Sequence, residues 1–240
     1  MGSPYTSADR AEFLLPGQVG GAEMLDTRMA QHLTAQGHTV TMLHPDQWEE
    51  ALDADRVIVT RLEGIPDEGC DMLTRCTPVV WVHHLQQPTA GHVRLIRAAD
   101  PFVVMSDAHA MREVWGPTPV VCNGWLDLSE IPWGEGDGTA LWAARNHPQK
   151  GLFFSRVYAQ SRGWTLVEAM NVPRGELLQM MARASYFLFH PKGFDACPRT
   201  LIEAEAAGCE IHTNALAGRR EPGPLREVND EQLRRFLSWF

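Results

Sequence analysis

Short runs of β-branched and other apolar residues recur along this chain, each followed by a stretch of helical spacing. That alternation constrains the fold more than any other feature. After a first short run in AEFLLPG, stopped by Pro16 and Gly17, the segments HTVTMLHP, RVIVT, PVVWVHHL, FVVMS and PVVCN read as strands. ALWAA, WTLVEA, SYFLFH and CEIHTN repeat the pattern in the second half. Several runs are apolar at consecutive positions, which predicts parallel sheets buried on both faces under helices. Between the strands, Ala22, Leu25, Met29 and Leu33 keep helical spacing up to Gly37, and DAHAMREVW reads as helix. Residues 147–163 read as a helix begun by Pro148 and ended by Gly163, and residues 173–184 carry Leu177, Leu178, Met181 and Ala182 on one face. In the closing NDEQLRRFLSWF, Asn229 and Gln232 have capping-box spacing, while Leu233, Phe236, Leu237 and Phe240 form an apolar stripe.

The texture changes at residues 124–139, where glycine, proline and acids accumulate as in an interdomain linker. The expected architecture is therefore α/β: two Rossmann-like parallel-sheet domains, residues 1–125 and 138–240, joined by a linker at 126–137 and facing a cleft. The final helix can cross back onto the first domain. At 240 residues and 44% hydrophobic, the chain can bury a core in each domain. No apolar run reaches the roughly 18 residues of a membrane span, and no basic-then-apolar leader opens the chain, so a cytoplasmic protein without stable membrane insertion is expected. Five cysteines without a CxxC pair suit reduced thiols, and no ligand spacing for a metal is present. The net charge is −9, and residues 1–116 hold 16 acidic against 8 basic residues, which argues against duplex DNA or an anionic membrane as partner.

Open parallel sheets bind ligands beyond the carboxyl ends of their strands, so the loops after strands hold the candidates. PGQVGGAE places Gly20 and Gly21 where a ligand can approach helix N-terminal amides, although a purely structural turn fits equally. The dinucleotide fingerprint GxGxxG is absent, which counts against nicotinamide or flavin. His83 and His84 end the PVVWV strand; alternation lets only one of them face a cleft, and a core histidine is the competing reading. Arg145 and Lys150 flank a helix start and can clamp a diphosphate, or be two solvated charges. Only Lys150 and Lys192 among the 21 cations are lysines. In KGFDACPRTLIEAEAAGC, Pro198 suits a first helical turn, so the Phe194-Asp195-Ala196-Cys197 loop aims free amides outward. Asp195 at its mouth and Glu203 inside the helix are natural acceptors for sugar hydroxyls, unless the segment is an ordinary capped helix.

In this order the motifs resemble the retaining glycosyltransferases of the GT-B fold, specifically family 4, in a compact form. Gly20, Gly21 and the shifted Glu23 stand for the family's glycine-rich turn. His83 stands for its strand-end histidine, and Met105-Ser106 and Cys122-Asn123-Gly124 for its next two signatures. Arg145, Lys150 and Gly151 match the R…KG motif, and Asp195-x7-Glu203 matches Glu-x7-Glu with aspartate in the first place. The resemblance implies transfer of a hexosyl or pentosyl group from a nucleoside-diphosphate sugar to an acceptor hydroxyl, with retention. It needs no divalent metal and no cofactor besides the donor substrate. His83, Arg145, Lys150 and Asp195 would be catalytic. Gly20, Gly21, Phe194, Ala196, Cys197 and Glu203 would complete the donor site, with Glu23 and His84 toward the acceptor. The acceptor is a glycan, protein or small molecule, modified DNA being disfavoured by charge. An epimerase or hydrolase of the same fold, or a non-catalytic sugar-nucleotide binding module, are the alternatives.

Overall fold

The computed structural model of the chain describes residues 21–60, 62, 64–83, 88–106, 110, 117–144 and 147–240. The strand expected near residues 11–17 and nearly all of the helix expected over 107–115 lie outside them. Two compact units divide the described residues: Ala22–Gly124 with Asp230–Phe240, and Gly21 with Trp125–Asn229.

In the first unit, α1 (Gly21–Ala35) leads through a 3-10 segment (Pro45–Asp53) to β1 (Ile58–Val59). There follow α2 (Asp67–Leu73), β2 (Val79–Val82), α3 (Ala90–Ala98), β3 (Phe102–Val104) and β4 (Val120–Val121). The strands form one parallel sheet in the order β1-β2-β3-β4. All four residues of β2 are buried. Because alternate residues face opposite ways, Val80 and Val82 pack with Cys70, Leu73, Leu95 and Ile96 from α2 and α3. Trp81 points to the other face, where its ring centroid lies 6.0 Å from Phe236 and 5.7 Å from Trp239. The last segment of the chain thus covers the second face of the first sheet. Truncating so large a buried ring costs about 3–5 kcal/mol in typical cores.

Among the described residues, HTVTMLHP carries no strand. A strand needs a neighbour for its backbone N–H and C=O groups, and residues 38–45 join neither described sheet.

The second unit holds β5 (Ala140–Ala144), α4 (Leu152–Arg162), β6 (Leu166–Met170), α5 (Arg174–Arg183), β7 (Tyr186–Phe189), α6 (Arg199–Ala206) and β8 (Glu210–Thr213). Its sheet is also fully parallel, in the order β6-β5-β7-β8. The helix expected over 147–163 is broken. A 3-10 turn over Pro148–Lys150 precedes α4, with Gly151 between them at φ +71°. Gly163 closes α4 at φ +70°, in the left-handed conformation that terminates helices. Residues 126–137 group with this unit, and Gly134 donates to the Ala207 carbonyl at 3.0 Å. A Cβ at Gly134 would lie 1.8 Å from the Ala182 oxygen, so this glycine permits close packing.

The last helix, α7 (Leu225–Leu237), starts earlier than the spacing of Asn229 and Gln232 predicts. Both residues lie inside the helix and serve the loop after β4 instead. Asn229 accepts from the Leu126 N–H at 2.6 Å and donates to its carbonyl at 3.0 Å, while Gln232 accepts from the Asn123 N–H at 2.9 Å. Backbone groups outside a sheet ladder need such partners. Among the described residues, no helix is long and apolar enough to cross a membrane.

Candidate functional site

The carboxyl ends of the second sheet present four loops, and three of them are stitched together. Gly151, after β5, approaches the loop after β7 so closely that a Cβ would sit 1.7 Å from the His190 oxygen. The Lys192 N–H donates to the Gln149 carbonyl at 2.8 Å, and the Asn214 amide, after β8, donates to the Pro191 carbonyl at 3.0 Å. Asp195 is held by its backbone: its N–H donates to the Leu216 carbonyl at 2.9 Å, and its carbonyl accepts from Gly218 at 2.7 Å.

This stitching brings Lys150 onto Asp195. The ammonium Nζ lies 2.7 Å from Oδ2, and 5.8 Å from the centroid of the Phe189 ring. The Lys150 carbonyl accepts from the Trp142 indole at 3.3 Å, which anchors the turn to β5. Both partners of the ion pair keep solvent access, at 35% and 21% of their side-chain surface. Beyond Asp195, Ala196 and Cys197 are buried and Phe194 half-buried, and Pro198 caps α6. The Arg199 guanidinium turns inward and donates to the Trp125 carbonyl at 3.3 Å.

Glu203 projects from α6 and is buried. Arg174, the first residue of α5, meets it: Nη2 and Nε lie 3.1 and 3.3 Å from the same oxygen, Oε1. The third guanidinium nitrogen, Nη1, reaches Glu130 Oε2 at 3.1 Å. Sequence reading missed Arg174 and Glu130. The Pro173-Arg174 pair, two residues after the WTLVEAM run, was the available signal, since it places an arginine just beyond a strand end.

Arg145, His84 and Gly20 lie outside the described residues, and for Glu23 only its place in α1 is described. Gly21 opens α1. His83 directly follows β2, its ring centroid 6.0 Å from that of Trp81. Lys150, Phe194, Asp195, Ala196, Cys197 and Glu203 therefore belong to the second unit, with which Gly21 also groups, and Glu23 and His83 to the first. Among the described residues, no three His, Cys, Asp or Glu side chains gather as a metal site would require.

Beneath the Lys150 turn, His190 is wedged between α4 and β7. Its Nδ1 lies 3.2 Å from the Ser155 hydroxyl and its ring 4.8 Å from the Tyr158 ring. Burial, and then the neighbouring His212, push this imidazole below its ordinary 6.5. A depressed histidine pKa means that the unfolded chain takes up the proton first. The stabilisation is complete above about pH 6.5 and lost as pH falls through the folded value. Thermal melting from pH 7 to 5 should show a decline in Tm that is shallower in His190→Asn. An equally steep decline in the variant would assign the pH dependence to other groups.

No protein-family model matches the chain, and no curated protein matches it in sequence. Solved structures do match. AviGT4, a glycosyltransferase involved in avilamycin A biosynthesis, gives a TM-score of 0.62 at 14% identity, over 92% of this chain and 85% of its own. A glycosyltransferase from Rickettsia africae ESF-5 gives 0.60 at 11% identity, over 94% and 87%. HepE of Anabaena, in complex with UDP-glucose, gives 0.56 at 12% identity, over 93% and 88%. At such identities the likeness is one of fold, and it spans nearly the whole chain. With its two units and two four-stranded parallel sheets, the chain has the GT-B fold of glycosyltransferases.

Proposed function

We propose that the protein is a glycosyltransferase that moves a sugar from a nucleoside-diphosphate donor to an acceptor hydroxyl, with retention and without a divalent metal. The observation that carries this reading is the Lys150–Asp195 pair, solvent-accessible and 2.7 Å apart beyond the carboxyl end of a parallel sheet. An ammonium there is a ready partner for a departing diphosphate, and a carboxylate a ready acceptor for sugar hydroxyls. The complexes of HepE with UDP-glucose and with UDP support a nucleotide sugar as donor.

The bond between the anomeric carbon and the diphosphate oxygen breaks while the acceptor oxygen bonds to the same face of that carbon. The acceptor proton passes to the leaving diphosphate oxygen. Lys150 and Arg145 stabilise the charge that develops on the diphosphate; one preorganised donor of this kind contributes about 3–4 kcal/mol in known enzymes. Glu203 receives the donor ribose, and His83 is the catalytic histidine of the transfer. The acceptor is a glycan, a protein or a small molecule; the acidic first half disfavours DNA.

The test is a thermal-shift panel of UDP-, GDP-, ADP- and TDP-sugars, followed by an assay of the hit for diphosphate release with and without EDTA. A ligand at 100 times its Kd adds about 2.7 kcal/mol, several degrees for a chain of this size. The expected result is one stabilising donor and acceptor-dependent release that survives EDTA. Release of free or epimerised sugar would make the protein a hydrolase or epimerase, and binding without turnover a binding module. A flat panel would remove the nucleotide-sugar reading.

A further inference from the structure

Arg174 occupies an unfavourable place for a cation. It is the first residue of α5, where the partial positive charge of the helix N-terminus repels it. Two carboxylates offset that repulsion, and they are used differently. Glu130, on the exposed 3-10 turn Leu128–Glu130, takes one nitrogen. Glu203, with only 8% of its side-chain surface exposed, takes two nitrogens on the single oxygen Oε1.

The second carboxylate oxygen of Glu203 accepts no hydrogen bond from the described residues. An arginine placed only to neutralise a buried acid commonly engages both oxygens in parallel. Here the fork is rotated, so that one oxygen is anchored and the other is left for a partner from outside. Two consequences follow for the carboxylate. Its plane is set by a rigid guanidinium, and its free lone pairs are concentrated on one atom.

We propose that Arg174 is a positioning residue for donor recognition: it anchors Glu203 through Oε1 so that Oε2 meets the ribose hydroxyls of a nucleoside diphosphate, and Glu130 steadies Arg174 from behind. This rests on the reading of the second unit as a nucleotide-sugar site and adds two residues to it. The guanidinium touches no substrate. Its effect is on ribose discrimination, because a misaligned carboxylate still leaves the diphosphate contacts of Lys150 intact.

The experiment measures binding of UDP, ADP and GDP, each beside its 2′,3′-dideoxy counterpart, to wild type, Arg174→Met, Arg174→Lys, Glu203→Gln and Glu130→Gln. A hydrogen bond to a charged group is worth about ten- to a hundredfold in affinity. Wild type should therefore prefer the ribonucleotide by about tenfold or more. In Arg174→Met and Glu203→Gln that preference should fall to about twofold, with dideoxy affinity nearly unchanged. Arg174→Lys, which keeps the charge but not the fork, should recover part of it. If Arg174→Met does not fold, Glu130→Gln carries the test. It changes a half-exposed side chain, and its preference should drop about threefold through the loosened guanidinium.

Equal weakening toward both ligands, with the preference preserved, would make Arg174 merely structural and overturn the proposal. So would tighter ribonucleotide binding in Arg174→Met, because Arg174 would then compete with the ribose for Glu203. A wild type that binds both ligands alike would overturn the proposal while leaving diphosphate recognition standing. Absence of binding by all three diphosphates would remove the nucleotide-sugar reading itself, and the proposal with it.

Discussion

Gly151→Ala should lower the melting temperature by about 6 °C or more, or prevent the second unit from folding. Two independent penalties meet at this residue. Its φ of +71° is a left-handed conformation, and leaving it to a side-chain-bearing residue costs about 1–2 kcal/mol. The added Cβ would also lie 1.7 Å from the His190 oxygen, 2.5 Å from the His190 carbonyl carbon and 3.0 Å from the Pro191 Cα. These are backbone atoms, and they cannot swing aside as a side-chain tip would. Pro191 is held through its carbonyl by Asn214, and Lys192 is bonded to Gln149. Forcing them apart adds about 1–3 kcal/mol, and each kcal/mol shifts Tm by about 2–4 °C at this size. Gly175→Ala is the control. Beyond its own stretch of helix, no described atom lies within 4 Å of its would-be Cβ, and its φ is not in the left-handed region, so its Tm should stay level or rise. Equal melting of Gly151→Ala and wild type would mean that the loops after β5 and β7 do not meet in this way.

Lys150→Ala should weaken nucleoside-diphosphate binding about ten- to a hundredfold while leaving the fold intact. The affinity loss is that of a charge-assisted hydrogen bond to phosphate. The fold survives because both members of the Lys150–Asp195 pair reach solvent, and such pairs contribute about 0–1 kcal/mol to stability. Asp195→Asn separates a ligand-binding lysine from a merely structural pair. With the carboxylate neutralised, Lys150 has no competing anion at 2.7 Å, and a free nucleoside diphosphate should bind more tightly. Calorimetric titration with UDP, ADP and GDP gives both answers. Affinity unchanged in Lys150→Ala would sink its assignment to the diphosphate, and weaker binding in Asp195→Asn would mean that the carboxylate itself contacts the ligand.

The local signals in the chain were sound where they depended on neighbours in sequence. SYFLFH, ALWAA and PVVWV became buried parallel strands, Gly163 ended its helix, and Pro198 capped the next. They failed where a residue's partner lay far along the chain. HTVTMLHP has the alternation of a strand but joins no described ladder. Asn229 and Gln232 have the spacing of a cap, yet their amides bind backbone more than 100 residues away. Gly151 looked like the interior of a helix until the loop after β7 was placed against it.

The same division runs through the site. Lys150, Asp195 and Glu203 could be named as candidates because each follows a strand end, and strand ends can be read from hydrophobic periodicity. That periodicity by itself determined an α/β chain with two parallel sheets, since consecutive apolar residues must be covered on both faces. Tertiary structure alone decided which oxygen of Glu203 is anchored, and that a cation 29 positions away anchors it. The reason is geometric: a guanidinium selects its carboxylate within a few ångströms and a few tens of degrees, and only the packed sheet sets distances that fine.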